Sequence, residues 1–200
     1  SIYIYGTNSG IFADAFGYQG ADVIVPPPTI HAFGPGKASD GSNRGGGGGY
    51  GGQGADGGQG TGGGTYGSSN APVDSGSGGG GGYNIGAGGG GGVIRLVAQD
   101  TIYVNGFLTA NGGSELTGEY GGGGAGGSIY VICGRLQGTA NGYFNANGGQ
   151  GMSGDATKSG GGGGGRIAVY ARSLESALNY SATGGTSPSC NPGSPGTIVK

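Results

Sequence analysis

Short β-branched segments recur along this chain in a fixed order: Val93-Ile94-Arg95-Leu96-Val97, Ser128-Ile129-Tyr130-Val131-Ile132, Arg166-Ile167-Ala168-Val169-Tyr170 and Thr197-Ile198-Val199. Their isoleucines Ile94, Ile129, Ile167 and Ile198 are separated by 35, 38 and 31 residues. Repeats build a core by stacking like units, so the period constrains the fold more than any single motif does. With Ile2 taken as an earlier member, each of the first four isoleucines is followed by a second signature. It reads Phe12-Ala13-Asp14-Ala15-Phe16-Gly17, Phe107-Leu108-Thr109-Ala110-Asn111-Gly112-Gly113, Tyr143-Phe144-Asn145-Ala146-Asn147-Gly148-Gly149 and Asn179-Tyr180-Ser181-Ala182-Thr183-Gly184-Gly185. This alignment places Ala15 with Ala110, Ala146 and Ala182, which lie 13, 16, 17 and 15 residues after their isoleucines.

Successive residues of a strand point to opposite faces, so the alternation assigns an inside and an outside. One face stacks Ile2, Ile94, Ile129 and Ile167, then Ile4, Leu96, Val131 and Val169, then the small residues Gly6, Ala98, Cys133 and Ala171. The other carries Tyr3, Arg95, Tyr130 and Ala168, then Tyr5, Val97, Ile132 and Tyr170. Units of 31 to 38 residues are too long for tight hairpins and match one coil of a parallel β-solenoid. The expected fold is all-β, a parallel β-solenoid or β-helix-like repeat with glycine-rich polyproline II segments.

Glycine supplies 61 of the 200 residues, and the runs at 88–92, 121–124 and 160–165 each precede a strand. Collagen requires a strict triplet with abundant proline, and only eight prolines occur. Disorder, the other common fate of glycine-rich sequence, gives no reason for apolar segments at regular intervals. Runs at a constant place in the unit read as part of each coil. Polyproline II, with three residues per turn, lets glycine sit at every close approach. Gly45, Gly48, Gly51, Gly54, Gly57, Gly60 and Gly63 hold such a three-residue register. The chain therefore divides into N-terminal coils over 1–34, a glycine-rich insert or layer over 35–92 and regular coils over 93–200, within one continuous domain. Val23-Ile24-Val25, Pro26 to Pro28 and Ile30-His31-Ala32-Phe33-Gly34 suggest a further irregular coil inside this first part.

Charge is sparse, with a formal net charge of −2 and no basic cluster, which disfavours nucleic acid as a partner. Apolar stretches fall far short of the roughly 20 residues that cross a bilayer, so no membrane insertion by this segment is expected. The opening Ser1-Ile2-Tyr3-Ile4 begins in mid-strand without Met or signal-peptide features, as expected for a mature or internal piece of a longer chain. Cys133 and Cys190 are either one disulfide or two unpaired small residues. Cys133 occupies a column otherwise filled by Gly and Ala, where a small buried side chain fits better than a reactive thiol.

Catalytic chemistry finds little support. His31 is the single histidine, far in sequence from Cys133. Asp14, Asp22, Asp100, Glu115 and Glu119 are the acids from which a glycosidase pair would be drawn, yet none falls on one face of the repeating strands. Gly51-Gly52-Gln53-Gly54-Ala55-Asp56 fits the start of a calcium β-roll repeat, but the next unit lacks the aspartate. Gly36-Lys37-Ala38 lacks the upstream glycine and the hydroxyl residue of a phosphate loop. No catalytic, cofactor or metal residue is assigned. Asn179-Tyr180-Ser181 is a candidate N-glycosylation sequon. Tyr3, Tyr5, Tyr130 and Tyr170 form a candidate outward face for assembly or for stacking on sugar rings.

Gly126-Gly127-Ser128-Ile129-Tyr130-Val131, the Ala146 to Gly149 signature, Gly160 to Gly165 followed by Arg166-Ile167-Ala168-Val169-Tyr170, and Gly196-Thr197-Ile198-Val199-Lys200 resemble glycine-rich repeats of very large secreted surface proteins of bacteria and protists. The resemblance covers about 88–200 and extends to mastigoneme-like filament proteins. It implies an extracellular or cell-surface structural subunit that self-assembles or meets other structural subunits. A carbohydrate-binding adhesin is the alternative expectation, with glycans as partner. An ice-binding role would need flat regular rows of threonine or alanine, and the outward positions here are too varied.

Overall fold

The computed structural model describes residues 1–22, 31–41, 44–82, 86–114, 120–152, 159–188 and 190–200. Within them are nine strands and no helix: β1 (Ile2–Ile4), β2 (Gly10–Phe12), β3 (Val93–Val104), β4 (Phe107–Thr109), β5 (Ser128–Gly138), β6 (Tyr143–Asn145), β7 (Arg166–Ser176), β8 (Asn179–Ser181) and β9 (Thr197–Val199). Odd-numbered strands form a five-stranded parallel sheet in the order β1-β3-β5-β7-β9. Even-numbered strands form a four-stranded parallel sheet, β2-β4-β6-β8. Each of the first four units thus gives one strand to each sheet, a pair we call a rung, and β9 adds a fifth strand to the longer sheet.

The inward columns are those the alternation predicts for the central rungs. Ile94 pairs with Ile129, Ile129 with Ile167 and Ile167 with Ile198, while Leu96, Val131 and Val169 fall in register beside them. Ile94, Ile129, Ile167, Val131 and Val169 form one apolar core with Leu108 and Phe144 of the second sheet and the adjoining Ala146, and Leu96 packs against it. Ile129, Val131, Leu136, Phe144 and Ile167 have no exposed surface, a burial that contributes about 1.5–3 kcal/mol per side chain. Ala168, expected on the outer face, is buried as well; its cross-strand partner is Tyr130.

Two alignments need correction. The long strands run to 11 or 12 residues, and β1 pairs with the far half of β3: Ile2 with Ile102, Tyr3 with Tyr103, Ile4 with Val104. Ile2 and Ile4 therefore do not join the columns of Ile94 and Leu96. The pattern Ile-Tyr-Ile fits Ile102-Tyr103-Val104 as well as it fits Ile94-Arg95-Leu96, so alternation alone does not choose between them. The second signature shifts likewise. Phe12 pairs with Thr109, which sets Ala13, not Ala15, beside Ala110. Ala15 instead adopts a left-handed conformation with φ 57°.

The glycine segments are built into the same stack. The amides of Gly122, Gly123 and Gly124 donate to Gly80, Gly160 and Gly113; those of Ala125, Gly126 and Gly127 then return to the same three neighbours, at Ser77, Gly163 and Ala110. Partners thus recur every third residue, and the buried backbone is satisfied without a ladder of regular strands. Residues 44–64 and 76–82 take part, so the insert is a layer laid on the repeat. Gly163 illustrates why glycine is needed. A Cβ there would stand 2.1 Å from the carbonyl oxygen of Gly52. The segment Val23-Ile24-Val25, Pro26 to Pro28 and Ile30 lies outside the described residues.

Candidate functional site

The sequence-predicted tyrosine face splits into two clusters on the outer side of the five-stranded sheet. Tyr3 and Tyr5 stack with ring centroids 5.5 Å apart and planes within 4°, and Tyr5 meets Tyr103 at 5.3 Å. Tyr130 and Tyr170 meet edge-on at 6.1 Å, and the Arg95 guanidinium lies 5.8 Å from the Tyr130 ring. Register explains the separation. Tyr3 stands over Tyr103 in the far half of the long strands, whereas Arg95, Tyr130 and Ala168 align in the near half. Tyr103 lies beyond the recurring segment that ends at Val97, and the continuing alternation Ile102-Tyr103-Val104 is the signal that could have found it.

Both clusters present apolar surface. Tyr3 is 54 % exposed, Tyr5 64 % and Tyr170 40 %, with Val97 and Leu174 also open to solvent. Between the halves of the long strands the ladder is interrupted: β3 shifts register between Ala98 and Thr101. An open groove of about 650 Å³ lies there, lined by Val97, Ile132, Cys133, Tyr170, Arg172 and Leu174 among others. Burial pushes the Cys133 thiol above its ordinary pKa, in keeping with a small core residue rather than a nucleophile. Cys190 is free as well, its Sγ donating to the Asp56 carbonyl at 3.0 Å, so the Cys133–Cys190 disulfide is not formed. The two thiols serve different places, one a sheet core and the other a loop against the glycine layer.

Two polar devices hold the rungs together. The first follows the recurring asparagine. Asn111 N–H donates to Asp14 Oδ1 at 2.6 Å, Asn147 N–H to Asn111 Oδ1 at 2.9 Å and Thr183 N–H to Asn147 Oδ1 at 2.9 Å. Asp14 is thereby a ladder residue, with Thr109 Oγ1 donating to its other oxygen at 3.0 Å. The second is a buried junction between the insert and the repeat. Arg166, only 7 % exposed, donates through Nε and Nη2 to the Tyr66 carbonyl at 3.1 and 2.7 Å and through Nη1 to Thr197 Oγ1 at 3.2 Å. Its guanidinium also lies 5.2 Å from the Tyr50 ring. Ser128 Oγ–H donates to the Asp74 carbonyl at 2.6 Å, which leaves Ser128 Oγ to accept from the Tyr50 hydroxyl at 2.7 Å. Burial raises the pKa of both Tyr50 and Tyr66. Nothing in the local sequence announces this junction, because Tyr66 and Arg166 are far apart along the chain.

Among the described residues, the remaining candidates do not converge on a reaction centre. His31 Nδ1 meets Asp40 Oδ2 at the surface, while Ser39 Oγ is taken up by Thr61 N–H at 2.7 Å. Asp56 accepts from Gly62 N–H at 2.8 Å. Asp100 accepts from Ser1 and Thr101, and Glu175 from Ser173 and Gln137 with Arg135 nearby; these contacts hold both carboxyls below the ordinary carboxylate range. Glu115 and Glu119 lie outside the described residues. No group of three metal-ligating side chains occurs among the described residues. Asn179, at the start of β8, is exposed and its Nδ2 donates to the Ala140 carbonyl at 2.9 Å. No protein-family model, curated protein or solved structure matches the chain.

Proposed function

We propose that the chain is a glycine-rich parallel β-solenoid with a polyproline II layer, and that it is a non-catalytic structural segment of an extracellular fibre or cell-surface assembly. Alternation of successive strands between two parallel sheets supports the solenoid. Recurrence of hydrogen-bond partners every third residue supports three residues per turn in the glycine runs.

One observation carries the assembly reading. Interior columns that are fully buried in the middle rungs end in exposed apolar side chains at both ends of the stack. Leu136 has no exposed surface but Leu174 beside it is 49 % exposed; Ile167 has none but Ile198 is 42 % exposed; Leu108 has none but Ile11 is 39 % exposed. Apolar side chains left exposed along strand edges favour addition of further strands. Electron microscopy and sedimentation of the purified chain test this. Fibres or concentration-dependent oligomers are expected, and dispersed monomers at high concentration would refute it.

The planar stack of Tyr3 on Tyr5 favours a second reading, an adhesin that binds sugar rings through exposed tyrosines. A glycan array then gives specific binding that is lost in Tyr3→Ala or in Tyr130→Ala with Tyr170→Ala. Absence of binding by the parent chain excludes it.

A further inference from the structure

Three tyrosines gather where β1 meets the far half of β3. Tyr3 and Tyr103 are cross-strand partners, and Tyr5, just past the end of β1, meets both: its ring centroid lies 5.5 Å from that of Tyr3 and 5.3 Å from that of Tyr103. Tyr5 is 64 % exposed and Tyr103 half-buried. Alternation directs all three to the outer face, where side chains stand away from the neighbouring strands, so a further strand beside β1 would flank the cluster without covering it. We propose that Tyr5 and Tyr103 form an oxidative cross-linking site, at which a peroxide-driven one-electron oxidant joins the two rings as dityrosine and so staples β1 to β3. The inference goes beyond the assembly reading and takes from it only the extracellular setting in which such an oxidant is met.

The chemistry balances within the pair. Each phenol gives up one electron and its hydroxyl proton, leaving a phenoxyl radical whose unpaired spin is shared by the oxygen and the ring carbons ortho to it. Two such radicals form a carbon–carbon bond through one ortho carbon of each ring, and the hydrogens on those carbons move to the oxygens, restoring both phenols. Two hydrogens are lost in all, and one hydrogen peroxide takes them up as it becomes two waters.

Geometry selects this pair among the aromatic contacts of the described residues. Coupling joins rings through their edges. Tyr5 and Tyr103 are inclined at 41°, whereas Tyr3 and Tyr5 lie face to face within 4° and must turn further to bring ortho carbons together. Tyr50 and Tyr66 are nearer still, at 4.8 Å, but Tyr50 has no exposed surface and both hydroxyls are held by protein partners, so burial opposes the proton loss that oxidation requires. Tyr130 and Tyr170 stand 6.1 Å apart, and the Arg95 guanidinium against the Tyr130 ring opposes withdrawal of an electron.

The test treats the dilute chain, its Cys190 thiol blocked by alkylation, with a peroxidase and hydrogen peroxide. Dityrosine fluorescence is expected on a species that still runs as a monomer on a denaturing gel, with a yield independent of protein concentration. Peptide mapping by mass spectrometry should find Tyr5 joined to Tyr103 with the loss of two hydrogens. Tyr5→Phe and Tyr103→Phe remove only a hydroxyl, and each should abolish the linked peptide, while Tyr3→Phe should retain it. A linked Tyr3–Tyr5 peptide in its place would overturn the assignment. So would links that form only between molecules, fluorescence undiminished by Tyr5→Phe, or a folded chain that yields no dityrosine. Electron microscopy tests the assembly reading separately: a chain that links but forms no fibres leaves this site standing and sinks that reading.

Discussion

Replacing Gly163 by alanine tests whether the glycine layer is a close-packed part of the fold. The new Cβ would sit 2.1 Å from the Gly52 carbonyl oxygen, whereas ordinary contact begins near 3.4 Å, so the two segments must part by about 1.3 Å. Two hydrogen bonds span that contact: Gly163 N–H to Gly48 O at 2.8 Å and Gly52 N–H to Gly164 O at 2.7 Å. Stretched by that amount, both pass the limit of about 3.2 Å for a backbone hydrogen bond. All four residues are buried, so water does not replace the lost partners. An unsatisfied buried group costs about 1–3 kcal/mol, giving a loss of about 2–6 kcal/mol for the pair. In a chain of this size the melting midpoint should fall on the order of 10 °C. Gly64→Ala is the matched control. A Cβ at Gly64 would meet no atom within 4 Å and its φ is not left-handed, so the variant should range from neutral to about 1 kcal/mol more stable. Thermal and denaturant unfolding followed by circular dichroism at low concentration measure both. A Gly163→Ala variant within about 0.5 kcal/mol of the parent would refute the close-packing argument.

Arg166→Met keeps bulk but removes the donors to the Tyr66 carbonyl and Thr197, and should destabilise by about 3 kcal/mol, a charged hydrogen-bond donor being worth roughly half that or more per contact. Tyrosine fluorescence and denaturant unfolding report it, and an unchanged midpoint would exclude the junction as a structural tie. Thiol titration of the folded chain should modify Cys190 and spare Cys133 until denaturant is added; because burial raises the Cys133 pKa, protection should persist at mildly alkaline pH. Prompt reaction of both thiols would contradict the buried column. Asp100 and Glu175 have depressed folded-state pKa values, so their contribution is present above the ordinary carboxylate range of about 4 and is lost as pH falls through the lower folded values. Melting midpoints should therefore decline in acid, and Asp100→Asn with Glu175→Gln should flatten part of that decline.

Much of the architecture was legible because it is written in side chains at short range. Alternation and size class placed Ile94, Ile129, Ile167 and Ile198 in one column, put Cys133 among small residues and brought Tyr130 near Tyr170. The recurring asparagine was visible too, though its purpose was not. Only the stacked rungs show that Asn111 and Asn147 each accept an amide from the next unit. The tyrosine face was half legible, since Tyr3 and Tyr5 stand with Tyr103 and away from Tyr130.

By itself, then, the sequence determined an all-β repeat, the order of its two elements and the residues that face inward, because a period of two in polarity acts on neighbouring residues directly. Tertiary structure decided which half of a long strand receives β1, because two segments of β3 offer the same alternating pattern. It also decided the neighbours of every glycine run. Glycine has no side chain to encode a partner, so its position follows from where backbones approach closely enough to hydrogen-bond. Arg166 and Tyr66 meet only because the insert has already been laid on the repeat.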